Sequence, residues 1–212
     1  MKTTTNMLFN HRPLAAVSRA NFIVRTIGKS VLARIALACF LPLTVSAQNL
    51  LPNPGFEKPA PGVPPGTPVS YTNFCGNAVS SAATDWVVSI DVCGGNLTST
   101  LVPSTAPSGG KYMMHIVTDS VNSGVASSEG FANQAKTLAS VWVYVNSGCV
   151  GIGTGNAAFT VDTDEITCET GTWIEFFKVP NSVSPSNTFV VYAFPAAGAD
   201  FYVDNARVVA VP

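Results

Sequence analysis

The chain has 212 residues, 47% hydrophobic and 11% charged, with 11 Lys+Arg against 12 Asp+Glu. Six of the basic residues (Lys2, Arg12, Arg19, Arg25, Lys29, Arg34) precede position 48, in a stretch without one acid, so residues 48–212 keep five cations against twelve acids, a net charge of about −7. Such an acidic surface excludes nucleic acid and anionic membrane surfaces as partners and leaves neutral polymers and cations.

In chain order, the first element is a leader. Its basic region is followed by an apolar run from Val31 to Val45 and by the small-residue pattern Val45-Ser46-Ala47. That is the grammar of an export signal, expected over residues 1–47 with cleavage before Gln48. Pro42 interrupts the run, which is too short for a membrane span. The expected location is secreted, extracellular or periplasmic. The 165 residues that remain are enough for one domain with its own core, residues 48–212.

Next come Asn49 to Glu57, strand-like but carrying an acid, and a Pro/Gly segment from Lys58 to Pro68 whose prolines suit a surface loop. Short β-type runs then recur between Ser, Thr, Asn and Gly: 86–92, 111–118, 137–145, 157–162, 173–179, 188–194 and 201–209. No segment has a helical period, so an all-β jelly-roll sandwich of two antiparallel sheets is expected. In the run 138–145, Ala139, Val141, Val143 and Val145 form one face suited to packing between sheets. Leu138, Ser140, Trp142 and Tyr144 form the other, suited to an open groove. In the run 189–194, Tyr192 and Phe194 share a face. Were these two runs in one sheet, four aromatics would line one surface.

Four cysteines follow the leader: Cys75, Cys93, Cys149 and Cys168. They imply two disulfides with three pairings open, and no C-x-x-C pair suggests a thiolate metal site. Pairing between sequence neighbours, Cys75–Cys93 and Cys149–Cys168, is expected because turn residues fill the short intervals.

The motifs N-L-L-P-N-P-G-F-E at 49–57, S-G-G-K-Y at 108–112, A-S-V-W-V at 139–143, G-T-W at 171–173 and F-Y-V-D-N at 201–205 occur in an ordered series. Together they resemble secreted carbohydrate-binding modules of the four/nine type, galactose-binding-domain-like jelly rolls often attached to glycoside hydrolases. Asn205 stands where those modules usually have a second Asp. The resemblance implies a structural Ca²⁺ where the first and last strands meet. Glu57 and Asp204 would give carboxylates, with carbonyls near Asn53, Lys111 and Asp204. The edge alternative pairs the two acids with Lys111 or Arg207.

Sugar recognition needs flat rings for apolar sugar faces and fixed polar groups for hydroxyls. Trp142, Tyr144, Tyr192 and Trp86 are the candidate platforms, and Gln134, with Asn133 and Glu129, the candidate polar partners. Trp173, sharing a face with Phe177 and Val179, reads as core. His115, the single histidine after the leader, reads as a satisfied strand residue, and no Ser/His/Asp arrangement is visible. The acids Asp162, Asp164, Glu165 and Glu169 read as a solvated turn rather than a glycosidase pair. The expected function is therefore non-catalytic binding of a polysaccharide such as β-glucan or xylan. A structural or adhesive surface protein, with another secreted or surface protein as partner, is the first alternative; a small glycan-active hydrolase is the second.

Overall fold

The computed structural model describes residues 48–128, 137–155, 161–178 and 188–210. The leader and the candidates Gln134, Asn133 and Glu129 lie outside them. Among the described residues there is no helix and there are ten strands. They are β1 Val69–Ser80, β2 Trp86–Pro103, β3 Tyr112–Thr118, β4 Ser123–Ser127 and β5 Thr137–Ser147. The second half holds β6 Val150–Gly155, β7 Val161–Thr167, β8 Trp173–Lys178, β9 Thr188–Ala193 and β10 Ala199–Ala210.

The strands form a jelly-roll sandwich. One layer runs β3-β10-β5-β8 and the other β4-β9-β6-β7. All pairings between these strands are antiparallel. The long strand β2 joins the layers into one continuous sheet. Its residues Trp86–Ile90 pair with β4, and Leu97–Pro103 pair with β3. β1 follows it through both halves, with register shifts around Phe74. The change of layer falls at Gly94-Gly95, where a Cβ at position 95 would collide with the Ser120 side chain. The Cys75–Cys93 disulfide ties β1 to β2 at this bend. Cys149–Cys168 links the start of β6 to the segment after β7. Both are the neighbour pairings expected.

The inward positions of both layers merge in a single core. Val88, Val125, Ile152 and Val191 come from one layer, and Met114, Val143, Phe201 and Val203 from the other. Each is buried because alternate residues of a strand point to the same side of its sheet. The segment 49–57 is a turn-rich plug rather than a strand. Pro52 and Pro54 have no N–H to give a ladder, and Asn53 and Phe56 adopt positive φ of 44° and 56°. Asn49 straps this plug to β10: its Oδ1 accepts from Val208 N, and its Nδ2 donates to the Ala206 carbonyl.

Trp86 is core, not groove. It is 1% exposed, its ring lies 4.6 Å from Phe56, and its Nε1–H donates to the Asn53 carbonyl at 3.0 Å. Trp86→Ala should therefore cost about 3–5 kcal/mol of stability. Denaturant unfolding checks this, and a loss below about 1 kcal/mol would contradict the placement.

Candidate functional site

The period-two alternation that fills the core from β3, β10 and β5 sends the intervening residues to the opposite face of that layer. Cross-strand register then sets them in rows. His115, Tyr202, Tyr144 and Trp173 are consecutive partners across β3, β10, β5 and β8. Four rings thus stand side by side across the strands, over about 14 Å at the usual strand spacing. Neighbouring ring centroids lie 4.4 Å (His115–Tyr202, stacked), 6.1 Å (Tyr202–Tyr144) and 5.5 Å (Tyr144–Trp173) apart. A depression of about 330 Å³ opens here, lined by Thr105, Met113, Tyr144, Asn146, Trp173 and Tyr202.

Polar groups border the row on both sides. Two residues from Tyr202 along β10, Asp200 Oδ1 accepts from Asn146 Nδ2 at 2.8 Å and meets His115 Nε2 at 2.7 Å. On the other side, Trp142 of β5 pairs in register with Glu175 of β8 and Asp204 of β10. Trp142 and Tyr144 are both half-buried. Further along, Phe177 of β8 is 51% exposed.

Asp204 also stands on this side of the sheet, yet the turn after β2 covers it completely. Ser104 Oγ donates to its Oδ2 and Asn205 N–H to its Oδ1, both at 2.6 Å. Burial pushes its carboxyl up to about 6 against the lowering effect of these two donors, and the neighbouring Glu57 raises it further. Glu57 Oε1 accepts from the Lys111 backbone N–H at 2.7 Å. A Cβ at Gly110 would stand 2.6 Å from Glu57 Oε1 and 3.8 Å from Asp204 Oδ2, so only glycine leaves this space between the carboxylates open. The Lys111 ammonium forms no ion pair with either. It sits 4.9 Å from the Tyr112 ring centroid, and its pKa is raised chiefly by a hydrogen bond with Tyr112. Among the described residues, neither Glu57 nor Asp204 has an ionic partner. The surface-edge pairing with Lys111 or Arg207 is therefore not what these residues form.

The structure brings some sequence candidates together and separates others. Trp142 and Tyr144 share the open face, but Tyr192 belongs to the other layer. Strand β9 pairs with β4 and β6 rather than with β5, so four aromatics of these two strands cannot line one surface. Tyr192 is 4% exposed, in a small cluster with Ala126 and Val190. Trp173 moves the opposite way, from expected core to the open face, because it pairs with Tyr144. Tyr202, His115 and Asp200 were absent from the expected set. The alternation Phe201-Tyr202-Val203 would have found Tyr202, since its neighbours are both core. The Asn53 carbonyl is occupied by Phe56 N and Trp86 Nε1, and its side chain by Lys58 and Thr84, so Asn53 organises the plug.

No family model and no curated protein matches the chain. Some solved structures are similar to it at low identity. A family 61 carbohydrate-binding module in complex with β-1,4-galactotriose is 14% identical, with a TM-score of 0.47, covering 78% of this chain and 100% of the module. The CBM22-1 xylan-binding domain from Paenibacillus barcinonensis is 10% identical, with a TM-score of 0.44, covering 68% and 93%. A family 11 module from Clostridium thermocellum, in complex with a β-1,3-1,4-mixed-linked tetrasaccharide, is 10% identical, with a TM-score of 0.44, covering 68% and 96%.

The state of Asp204 has a measurable consequence in metal-free protein. A carboxyl whose folded-state pKa stands above its unfolded value of about 3.9 favours folding while protonated. Its contribution is complete below about pH 4 and is lost as the pH rises to about 6. In chelator, wild type should thus lose stability relative to Asp204→Asn over this interval. Denaturant unfolding of both proteins at pH 4 and pH 7 measures the difference, and parallel pH dependence would refute it.

Proposed function

We propose that this protein is a secreted, non-catalytic binder of polysaccharide, with β-glucan and xylan as the leading ligand classes. The observation that carries the proposal is the row His115, Tyr202, Tyr144 and Trp173. Aromatic rings offer sugars large apolar area together with polar edges, and a row of them beside fixed polar groups suits a chain of repeating units. Two acids of this face are held by neighbouring side chains rather than set as a facing catalytic pair. Asp200 is tied to His115 and Asn146, and Asp204 is buried beneath Ser104. Two disulfides support an oxidising compartment, in keeping with an export leader over residues 1–47.

Tyr144→Ala and Trp173→Ala should each weaken retention on soluble or insoluble β-glycans about tenfold or more. Their thermal melting should stay near that of wild type, because truncation of a ring at an open face leaves no sealed cavity. Lost stability would instead make these rings structural. Absence of retention by wild type on every glycan would favour the adhesive surface role.

A structural calcium fits the same reading. Glu57 and Asp204 are carboxylates that border the open space beside Gly110, and Asp204 is buried without a counter-charge among the described residues. Calcium accepts irregular sets of oxygen ligands, so two carboxylates completed by backbone carbonyls and water would suffice. Bound there, the ion would hold both acids ionised and pin the plug to β10. Calcium at 100 times its dissociation constant should stabilise the fold by about 2.7 kcal/mol. Glu57→Ala and Asp204→Ala should each remove most of that response in calcium and chelator melts. An identical melting curve with and without chelator would rule the site out.

A further inference from the structure

The Asp200 carboxylate is held more firmly than a strand-surface acid requires. It stands beside the aromatic row, two residues from Tyr202 on the same face of β10. One of its oxygens, Oδ1, meets donors from both flanking strands, Nε2 of His115 on β3 and Nδ2 of Asn146 on β5. An ionised carboxylate only accepts, so the His115 nitrogen that touches it is the protonated one. The second oxygen, Oδ2, has no protein partner among the described residues. The side chain is 34% exposed and that of His115 25% exposed, so both are open to a ligand. His115 is itself fixed by stacking on Tyr202 at 4.4 Å. Two donors and a stacked ring therefore set one carboxylate in a single orientation and leave half of its accepting capacity unused.

The charges around the row have one dominant sign. Asp200 borders one side of it, and Glu175, in register with Trp142, borders the other. Arg207, a fixed cation, pairs in register with Ser140, two strand rows beyond Tyr144. A sugar hydroxyl is a donor that an ionised acid rewards, whereas a uronate carboxylate would meet like charge on either side of the rings.

We infer that Asp200, positioned by His115 and Asn146, is the hydroxyl acceptor of this face and makes it select neutral polysaccharides over uronate-bearing ones. This rests on the glycan-binding reading above. As a cross-strand pair on an exposed sheet, His115–Asp200 alone would add little to stability and nothing to ligand choice. The inference therefore concerns affinity and selectivity, which a merely structural pair would not alter.

The test is affinity electrophoresis of the full-length secreted protein in mixed-linkage β-glucan, xylan, β-1,4-galactan and polygalacturonate, with thermal melting alongside. Wild type should be retarded by at least one neutral glycan and not by polygalacturonate. Asp200→Asn should lose about tenfold or more in affinity for that neutral glycan, the scale of one hydrogen bond to a charged group. It should also narrow the gap to polygalacturonate while keeping its melting temperature. His115→Phe, which keeps a ring against Tyr202 but no donor to Asp200, should lose severalfold, and His115→Gln should recover part of the loss. Should Asp200→Asn fail to fold, His115→Phe and Asn146→Ala carry the test. Wild-type affinity in Asp200→Asn, with binding still abolished by Tyr144→Ala, would overturn this inference and leave the aromatic reading standing. Equal binding of polygalacturonate and neutral glycans by wild type would overturn the selectivity. Absence of any glycan binding would remove both.

Discussion

Alternation along β10 is the constraint on which both core and site depend. Phe201, Val203, Ala206 and Val208 are buried between the layers. Because the side-chain period of a strand is two, filling those inward positions leaves Asp200, Tyr202 and Asp204 no side but the other one. The strand lies between β3 and β5, so its outward residues are flanked by theirs at fixed spacing. The aromatic row follows directly, since a one-residue slip of β10 would bury Tyr202 and expose Val203. Core packing therefore holds the register of the open face, and no separate scaffold for the rings is needed.

A bulge breaks the alternation once, between Asp204 and Arg207, with Asn205 at a positive φ of 47°. Its effect is local. It lets the β10 backbone meet the plug, where Ala206 N donates to the Pro54 carbonyl at 2.8 Å. It also turns the Asn205 N–H onto the Asp204 carboxylate. The ladder gives up regularity at the place where an acid must be held under a loop, a common use of β-bulges. Ser104, which caps that acid, is followed by Thr105, which lines the aromatic depression. The buried carboxylate and the open face thus share one short turn.

Much of this was legible in the chain. The Ala139-Val141-Val143-Val145 stripe announced an inward face, and the outward Trp142 and Tyr144 followed from it. Other parts were hidden for physical reasons. Strands β4 (S-G-V-A-S) and β6 (V-G-I-G-T-G) are interrupted by small residues, so they lack the continuous β-branched pattern that marks a strand; in β4 a Cβ at Gly124 would collide with the Val191 carbonyl. Trp86 and Trp173 both begin strands after turns, yet one is sealed beneath Phe56 and the other lies on the surface. For Trp173 the clue was Glu175: the face Trp173-Glu175-Phe177 carries a charge, whereas Ile174-Phe176 does not. For Trp86 no local clue exists, because the plug that covers it comes from a segment about thirty residues earlier in the chain.

The passage of β2 through both layers bears on how the sandwich is assembled. A strand shared by two sheets gives up half its hydrogen bonds and half its apolar face if either sheet is missing. One layer alone would leave Val88 and Ile90, or Leu97 and Leu101, which are buried between the layers, facing water. Closing the fold further requires β10 to reach back across the sequence to β3 and to the plug at Asn49. Contacts of such separation slow the search for the native state. The aromatic row is therefore complete only when the last strand stands between β3 and β5.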